Sequence, residues 1–251
     1  MSELEDAIPA ATLVLMRERR GAPPELLLIE RTGNMAFAAG ALVFPGGRID
    51  PGDREAAAAF AAFEDAAARI AAVRETIEET GLAPAVEPVP DEATALMLRQ
   101  GIERGDKLPQ LLAERGLTLR LDALTPFARW CPNFRETRRF DTLFFLAEVP
   151  EGAADPVPDE REAARAFWAS AAESLAEIDA GRSHAIFPTR RNLERLARFG
   201  SIAEARADAA LHPVSKITPW VEERGGSPHV CIPDGLGYPV TSEPLATARR
   251  R

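Results

Sequence analysis

The stretch RETIEETGL, residues 74–82, places three carboxylates within five residues and ends at a glycine and a leucine. A helix turns by about 100° per residue, so the three glutamates fall within an arc of roughly 100° on one helix face. Ile70, Val73 and Ile77 form an apolar stripe on the other side, which can pack against a core. The stretch therefore predicts the end of a packed helix that displays an acidic cluster.

The acidic cluster consists of Glu75, Glu78 and Glu79. Like charges this close together repel each other, and repulsion raises their pKa values unless a positive charge lies between them. Mg²⁺ is a hard cation that prefers carboxylate and water oxygens, so the cluster predicts half of a metal site. The alternative is a solvated, glutamate-rich helix face for which Gly81 is simply the terminating residue.

The residues upstream of this helix indicate a short strand followed by a glycine loop, because the apolar run 42–44 precedes a PGG turn at residues 45–47. This order resembles the Nudix hydrolase superfamily, whose box is written G-x5-E-x7-R-E-U-x-E-E-x-G-U, with U aliphatic. Gly47 begins the box here, and residues 74–82 match its second half. Three positions depart from the pattern: Asp53 replaces the first glutamate, 13 residues are inserted before Arg74, and Thr76 replaces an aliphatic residue.

The resemblance implies an α/β/α sandwich and a diphosphatase that requires Mg²⁺ or Mn²⁺. On the matching positions it makes Glu75 and Glu79 metal ligands, and Glu78 either a third ligand or the base that accepts a proton from water. It also implies that Arg74 orients Glu75 through a salt bridge and that Gly47 offers its carbonyl to the metal. Glu78, Glu75 and Arg74 are thus the predicted catalytic residues.

The family usually adds a carboxylate from a later loop to the metal site. Glu162 is the candidate for this role and Glu160 is the second choice, because Glu162 precedes Trp168 by six residues in a predicted strand. An ordinary charged loop residue is the alternative for both.

A second distinctive stretch, RWCPNFRETRRFDTLFFLAEV at residues 129–149, is similar to the W-x-T-P…RRFDT-x-FFL segment of a Nudix branch that resembles peroxisomal coenzyme A diphosphatase. That branch also carries an insertion in its box. Arg135, Arg138 and Arg139 supply guanidinium groups that suit the phosphate oxygens of such a substrate. A solvated turn whose charges protect a strand edge is the alternative.

Aromatic residues accompany these arginines. Trp130, together with Phe134 and Phe140, is a candidate for stacking on adenine, although such aromatics more often belong to a core. Phe144 and Phe145 are expected to be buried on opposite faces of a strand.

The composition excludes several other functions. A net charge of −9 argues against general nucleic-acid binding. Apolar runs are too short for a membrane span, and the acidic N-terminus lacks a signal-peptide core. Cys131 and Cys231 have no ligand spacing and are expected to be reduced thiols, so we expect a cytoplasmic location. A homodimer is left open.

The pattern of elements predicts a mixed α/β (α+β) sandwich in a single domain, residues 1–251. Strands are expected at 11–16, 25–30, 41–44, 125–130, 139–149 and 163–169. A mostly helical segment at 53–80, with Asp53 as a cap, lies in the box at 47–82. A helical insert is expected at about 91–115, and further helices at 170–180 and 188–210. A C-terminal extension begins at about 187, and its tail from residue 211 is expected to be irregular or hairpin-like.

The sequence therefore predicts hydrolysis of a diphosphate in a nucleoside diphosphate derivative. Coenzyme A or acyl-coenzyme A is the first choice, and the resemblance implies 3′,5′-ADP and (acyl-)4′-phosphopantetheine as products. ADP-sugars, NADH and dinucleoside polyphosphates are the alternative substrates. A Nudix module that senses a nucleotide without cleaving it is the alternative from another functional class.

Overall fold

The computed structural model describes residues 7–33, 38–132 and 139–248. Its strands, in chain order, are β1 (Ile8–Arg19), β2 (Ala22–Arg31), β3 (Leu42–Val43), β4 (Gly46–Arg48), β5 (Val86–Glu87), β6 (Thr118–Leu119), β7 (Thr125–Trp130), β8 (Phe140–Glu148), β9 (Ala163–Ser170), β10 (Lys216–Ile217), β11 (Trp220–Arg224), β12 (Ser227–Cys231) and β13 (Ser242–Pro244). Its α-helices are α1 (Pro51–Ala56), α2 (Ala66–Thr80), α3 (Glu92–Glu103), α4 (Leu108–Ala113), α5 (Ala171–Asp179), α6 (Phe187–Leu196), α7 (Ile202–Leu211) and α8 (Leu245–Ala248).

The central sheet has eight strands and is mixed. Its main order is β10-β7-β8-β1-β2-β3, with β4 paired to β1 and β9 paired to β2. β1 runs parallel to β8 and antiparallel to β2. β1 and β2 form a hairpin because Gly21 adopts a positive φ of 73° between two apolar runs. The mixed sheet agrees with the predicted α/β architecture.

Two cores lie on the two faces of this sheet. Alternate side chains of a strand point to opposite faces, so Leu13 and Phe145 pack against α2, α3 and α4 in one core. Val14 and Phe144 pack against α5, α6 and α7 in the other. The helix–sheet–helix layers confirm the predicted α/β/α sandwich, and Phe144 and Phe145 are buried on opposite faces as predicted.

Helix α2 buries the apolar stripe that the sequence indicates. Ile70, Val73 and Ile77 are fully buried. Gly81 ends the helix in the left-handed conformation, with φ of 70°, and its N–H donates to the Ile77 carbonyl at 2.9 Å. This end fixes the position of the acidic cluster relative to the sheet.

The predicted helical segment at 53–80 is in fact two helices, and the prediction that Asp53 caps it is wrong. Pro51 is preformed for the first turn of a helix, so α1 begins there with Asp50 as its N-cap. Asp53 occupies the third helical position, where its side chain completes a capping box with Asp50. A 3₁₀ turn at Ala57–Phe60 and a loop then lead into α2.

The remaining elements flank the central sheet. Helices α3 and α4 lie between the box and β7, and α6 and α7 follow the last long strand, β9. The tail is hairpin-like, one of the two predicted alternatives, because β11 and β12 pair antiparallel and β13 adds a third strand to this separate sheet. Both cysteines are free and buried. None of the described helices is long and apolar enough to cross a membrane.

Candidate active site

The end of α2 places the acidic cluster against the glycine loop rather than in solvent. Glu79 is only 4% exposed, and one of its carboxylate oxygens accepts the N–H of Gly46 at 2.8 Å. The other oxygen lies 3.9 Å from a terminal guanidinium nitrogen of Arg31. A solvated glutamate-rich face, the alternative that the sequence left open, therefore does not describe Glu79.

Arg74 is the cation at the centre of the cluster. It lies 2.6 Å from Glu78 and 3.0 Å from both Glu75 and Asp53, measured between side-chain nitrogen and oxygen atoms. It also donates to the Arg48 carbonyl at 2.8 Å. Burial by itself would lower the pKa of Arg74, but its hydrogen bonds and the surrounding carboxylates outweigh burial and raise that pKa. Arg74 is thus fully charged and holds three carboxylates, not Glu75 alone.

Asp53, which replaces the first glutamate of the box, is 3% exposed. One of its oxygens accepts the N–H of Asp50 at 2.8 Å, and both oxygens accept hydrogen bonds from Arg74, at 3.0 and 3.1 Å. Its shorter side chain reaches Arg74 because the capping box of α1 fixes Asp53 at the start of that helix. Asp53 is therefore a positioning residue for Arg74 in this structure.

The glycine loop makes close approaches to β1 and to the acidic cluster. A Cβ atom at Gly47 would overlap the carboxylate of Glu75, and a Cβ atom at Gly46 would lie 2.7 Å from the Cα atom of Thr12. The loop can therefore press its backbone against the acidic cluster, which brings the Gly47 residue next to Glu75 as a metal site would require.

The structure also brings Glu162 to the cluster. Glu162 is exposed and lines, with Glu75 and Glu78, both clefts that meet at the cluster. A backbone hydrogen bond holds Glu162 beside the cluster, because the Thr32 N–H donates to the Glu162 carbonyl at 2.9 Å. Glu160, the second choice, is exposed and lines neither of these clefts.

Burial and mutual repulsion perturb the three glutamates of α2. Burial raises the pKa of Glu75 to about 7; the charge of Arg74 opposes this shift, and repulsion from Glu78 and Glu162 adds to it. Burial likewise raises the pKa of Glu78. The pKa of Glu79 is well above its ordinary value, first through burial and then through the charge of Glu75. The ionised forms of these three carboxylates are thus disfavoured in the absence of a cation.

A cleft of about 490 Å³ opens from this cluster. Its lining combines the charged residues Arg74, Glu75, Glu78 and Glu162 with apolar residues of β3, β8 and the start of α6. A smaller cleft of about 280 Å³ adjoins it and is rich in carboxylates. The sequence interpretation missed Asp159 and Arg161, which line the smaller cleft. It also missed Arg31, which lines the larger one and ends the apolar run LLLIER at residues 26–31.

Only part of the predicted substrate-binding set can be placed. Arg139 lines the larger cleft, whereas Arg135, Arg138 and Phe134 lie outside the described residues. Trp130 also borders the cleft but is 1% exposed. Its indole N–H points to the core, where Tyr238 Oη accepts it at 3.0 Å and Asn192 Oδ1 at 3.3 Å. Its geometry is therefore that of a core residue, and little of its ring is open to stacking on adenine.

Comparison with known proteins places these features in a family. Human acyl-coenzyme A diphosphatase NUDT19 is 30% identical over an alignment that covers 78% of this chain and 66% of the human protein. The chain therefore spans just under two thirds of that relative. The crystal structure of a NUDIX hydrolase from Alicyclobacillus acidocaldarius is 31% identical, with 80% of this chain and 96% of that chain covered and a TM-score of 0.70. The chain belongs to the Nudix hydrolase family.

Membership of the Nudix family confirms the predicted enzyme class, a diphosphatase, and the predicted resemblance to an acyl-coenzyme A diphosphatase. No family model matches the chain. The box of this Nudix protein departs from the family pattern by a 13-residue insertion, which the structure accommodates in α1, the 3₁₀ turn and the loop before α2.

Nudix hydrolases generally use divalent metal ions, and the donors of this site fit such an ion in kind. Glu75, Glu78, Glu79 and Glu162 surround one region and offer only hard oxygen ligands. Burial raises the pKa values of Glu75, Glu78 and Glu79, so a bound cation would stabilise their ionised forms. Among the residues that the structure describes, however, no three such side chains form a complete ion site. Arg74 holds Glu75 and Glu78 and so competes with a cation for them.

This Nudix site predicts that the metal-free protein loses stability as the pH rises. The folded-state pKa of Glu75, about 7, lies above its ordinary value of 4.5. The contribution of Glu75 is therefore fully favourable below pH 4.5 and is lost as the pH rises through 7. A shift of this size corresponds to roughly 3 kcal/mol. Glu78, Glu79 and Glu162 repel the ionised form of Glu75, and Arg74 attracts it. A bound cation would add a further attraction for the ionised form, so it should reverse the loss of stability with rising pH.

Thermal unfolding in EDTA between pH 5 and pH 8 checks this expectation. The melting temperature of Glu75→Gln relative to the unsubstituted protein should increase across that range, because glutamine does not ionise. Added Mn²⁺ should stabilise the unsubstituted protein more at pH 8 than at pH 5. A difference between the two proteins that does not change with pH would contradict the assigned direction.

Proposed function

We propose that this Nudix hydrolase cleaves the diphosphate of coenzyme A or acyl-coenzyme A with Mg²⁺ or Mn²⁺, giving 3′,5′-ADP and (acyl-)4′-phosphopantetheine. The observation that carries the proposal is the cleft of about 490 Å³, whose lining combines the carboxylates of the acidic cluster with apolar side chains. Its volume lies in the range of small-molecule sites, roughly 300–1,000 Å³. The similarity to human acyl-coenzyme A diphosphatase NUDT19 supports the choice of substrate.

The mixed lining of the cleft suits the two kinds of group in such a substrate. Phe44, Phe140, Phe144, Ile186 and Pro188 supply apolar surface. An adenine ring or a thioester-linked acyl arm can bury apolar surface against them, and the carboxylates would hold the cation that binds the diphosphate. In this proposal Arg139, with Arg135 and Arg138 from the same segment, reads the phosphate groups of the nucleotide.

The residues around the acidic cluster have distinct roles in the proposed reaction. Glu75, Glu79, Glu162 and the Gly47 carbonyl would hold the metal, which would lower the pKa of a bound water and neutralise charge on the diphosphate. Glu78 is either a further ligand or the base that accepts the water proton.

In the hydrolysis the water oxygen bonds to one phosphorus, the bond from that phosphorus to the bridging oxygen breaks, and the other phosphate leaves with the bonding electron pair. Arg74 positions Glu75 and Glu78 before this step through its contacts at 3.0 and 2.6 Å.

Incubation of the protein with Mg²⁺ and coenzyme A, followed by separation of the products, tests the proposal. We expect 3′,5′-ADP and 4′-phosphopantetheine in equal amounts, and no products when EDTA replaces Mg²⁺. A panel of acyl-coenzyme A, ADP-sugar, NADH and dinucleoside polyphosphate, compared by kcat/KM, should favour the coenzyme A compounds. A preference for another member would overturn the substrate, and binding without cleavage of any member would favour the sensor alternative.

A further inference from the structure

We infer that Arg31, a residue outside the Nudix box, is a binding residue for the diphosphate of the substrate. The inference rests on the proposed function, because it takes the ligand of the cleft to be a nucleoside diphosphate. It starts from the position of Arg31 at the end of β2, on the wall of the cleft of about 490 Å³.

The backbone around Arg31 is tied to both sides of the site. Its own N–H donates to the Ala41 carbonyl at 3.0 Å, next to the strand that leads into the glycine loop. The N–H of the following residue, Thr32, donates to the Glu162 carbonyl at 2.9 Å. The pairing of β2 with β9 shifts register between Glu30 and Arg31. Such irregularities at the end of a strand redirect side chains and are common beside active sites.

The guanidinium of Arg31 is desolvated but poorly satisfied. The side chain is 16% exposed. Its Nε atom is buried and has no hydrogen-bond partner among the described residues. Its ion pair with Glu79 is 3.9 Å long, beyond hydrogen-bond distance. Buried donors without an acceptor are uncommon in folded proteins, because leaving one unpaired costs about 1–3 kcal/mol.

Glu79 does not supply the missing acceptor. One of its oxygens accepts the Gly46 N–H at 2.8 Å, and the other is 3.9 Å from Arg31. Arg31 therefore places a positive charge and an unused N–H beside the carboxylates, on the wall of the cleft. A phosphate oxygen is a suitable acceptor, since the planar guanidinium donates to phosphate in a bidentate manner.

A purely structural role, in which Arg31 only neutralises Glu79, makes a different prediction. In that case removal of Arg31 would disturb the position of Glu79 and lower the affinity for the metal. If Arg31 binds phosphate, its removal should weaken nucleotide binding and leave metal affinity unchanged or increased, because a positive charge beside the carboxylates is gone. The two roles can thus be separated by measuring the two affinities independently.

The experiment uses α,β-methylene-ADP, whose diphosphate carries a methylene bridge that hydrolysis cannot cleave. Isothermal titration of the Mg²⁺-loaded protein with this analogue should show binding that weakens at least roughly tenfold in Arg31→Ala. Arg31→Lys keeps the charge beside Glu79 but loses the planar fork, so it should also bind the analogue more weakly while folding normally. If Arg31→Ala does not fold, Arg31→Lys decides the outcome.

Arg165→Ala is the matched control. Arg165 lies on β9 opposite Glu30, pairs with it at 2.6 Å, and is more than half exposed outside the cleft. We expect this variant to bind the analogue as the unsubstituted protein does. Manganese affinity without nucleotide, measured by electron paramagnetic resonance, should be equal or higher in both Arg31 variants.

Three results would overturn the inference. They are unchanged affinity for α,β-methylene-ADP in both Arg31 variants, a loss of Mn²⁺ affinity that accounts for the weaker nucleotide binding, and no binding of the analogue by the unsubstituted Mg²⁺-loaded protein. Failure of the proposed function is a separate result, because it is read from the turnover of coenzyme A by the unsubstituted protein.

Discussion

Replacement of Glu79 by glutamine is expected to lower kcat at least roughly a hundredfold while the protein keeps its fold. Glu79 is the most buried glutamate of the acidic cluster and lies beside the glycine loop. Glutamine has nearly the same shape, and its amide oxygen can still accept the Gly46 N–H. What the variant loses is the negative charge, which is the property that a divalent cation requires of this side chain.

The same substitution should not destabilise the metal-free protein. Burial and the charge of Glu75 both raise the pKa of Glu79, so the ionised carboxylate is unfavourable there without a cation. Removal of that charge should leave the melting temperature in EDTA equal or higher. This combination of lower activity with equal or greater stability is expected of a residue that contributes to function at a cost to stability.

Steady-state hydrolysis of coenzyme A with Mg²⁺, together with thermal unfolding in EDTA, measures both effects. Glu160→Gln is the matched control, since Glu160 is an exposed carboxylate that lines neither cleft. This variant should hydrolyse coenzyme A at the rate of the unsubstituted protein. Hydrolysis by Glu79→Gln near the rate of the unsubstituted protein would remove Glu79 from the set of metal ligands.

The sequence predicts well the features that depend on a regular spacing of apolar residues or on a residue that ends a helix. The stripe of Ile70, Val73 and Ile77 and the glycine at position 81 define the end of α2 without any tertiary information. Alternation along a strand likewise assigns Phe144 and Phe145 to opposite faces. The position of Glu162 follows from its spacing to a strand that pairs with β2.

The features that it misses depend on contacts between distant segments. Asp53 resembles a helix cap in sequence, but Pro51 starts the helix earlier and Asp53 is turned toward Arg74, 21 residues away along the chain. Arg31 reads as an ordinary end of an apolar strand, and only the folded sheet places it beside Glu79.

Replacement of Arg74 by alanine is expected to destabilise the metal-free protein by about 3–5 kcal/mol, since it removes one partner from a buried charge network. Arg74 is the guanidinium that contacts Asp53, Glu75 and Glu78 at 3.0 Å or less. Asp53 is the least exposed of these carboxylates. Without Arg74 it would keep the Asp50 N–H as a partner but would have lost the cation that balances its charge.

A double-mutant cycle with Asp53→Asn measures how much of this loss belongs to the Arg74–Asp53 pair. Urea unfolding in EDTA should show that the double variant is only slightly less stable than Arg74→Ala alone. The coupling energy between the two substitutions should be about 1–3 kcal/mol. Mn²⁺ should restore part of the stability of Arg74→Ala, because a divalent cation can balance Glu75 and Glu78 in place of the guanidinium. Additive losses from the two substitutions, or a loss below about 1 kcal/mol for Arg74→Ala, would show that the carboxylates of this site do not depend on Arg74.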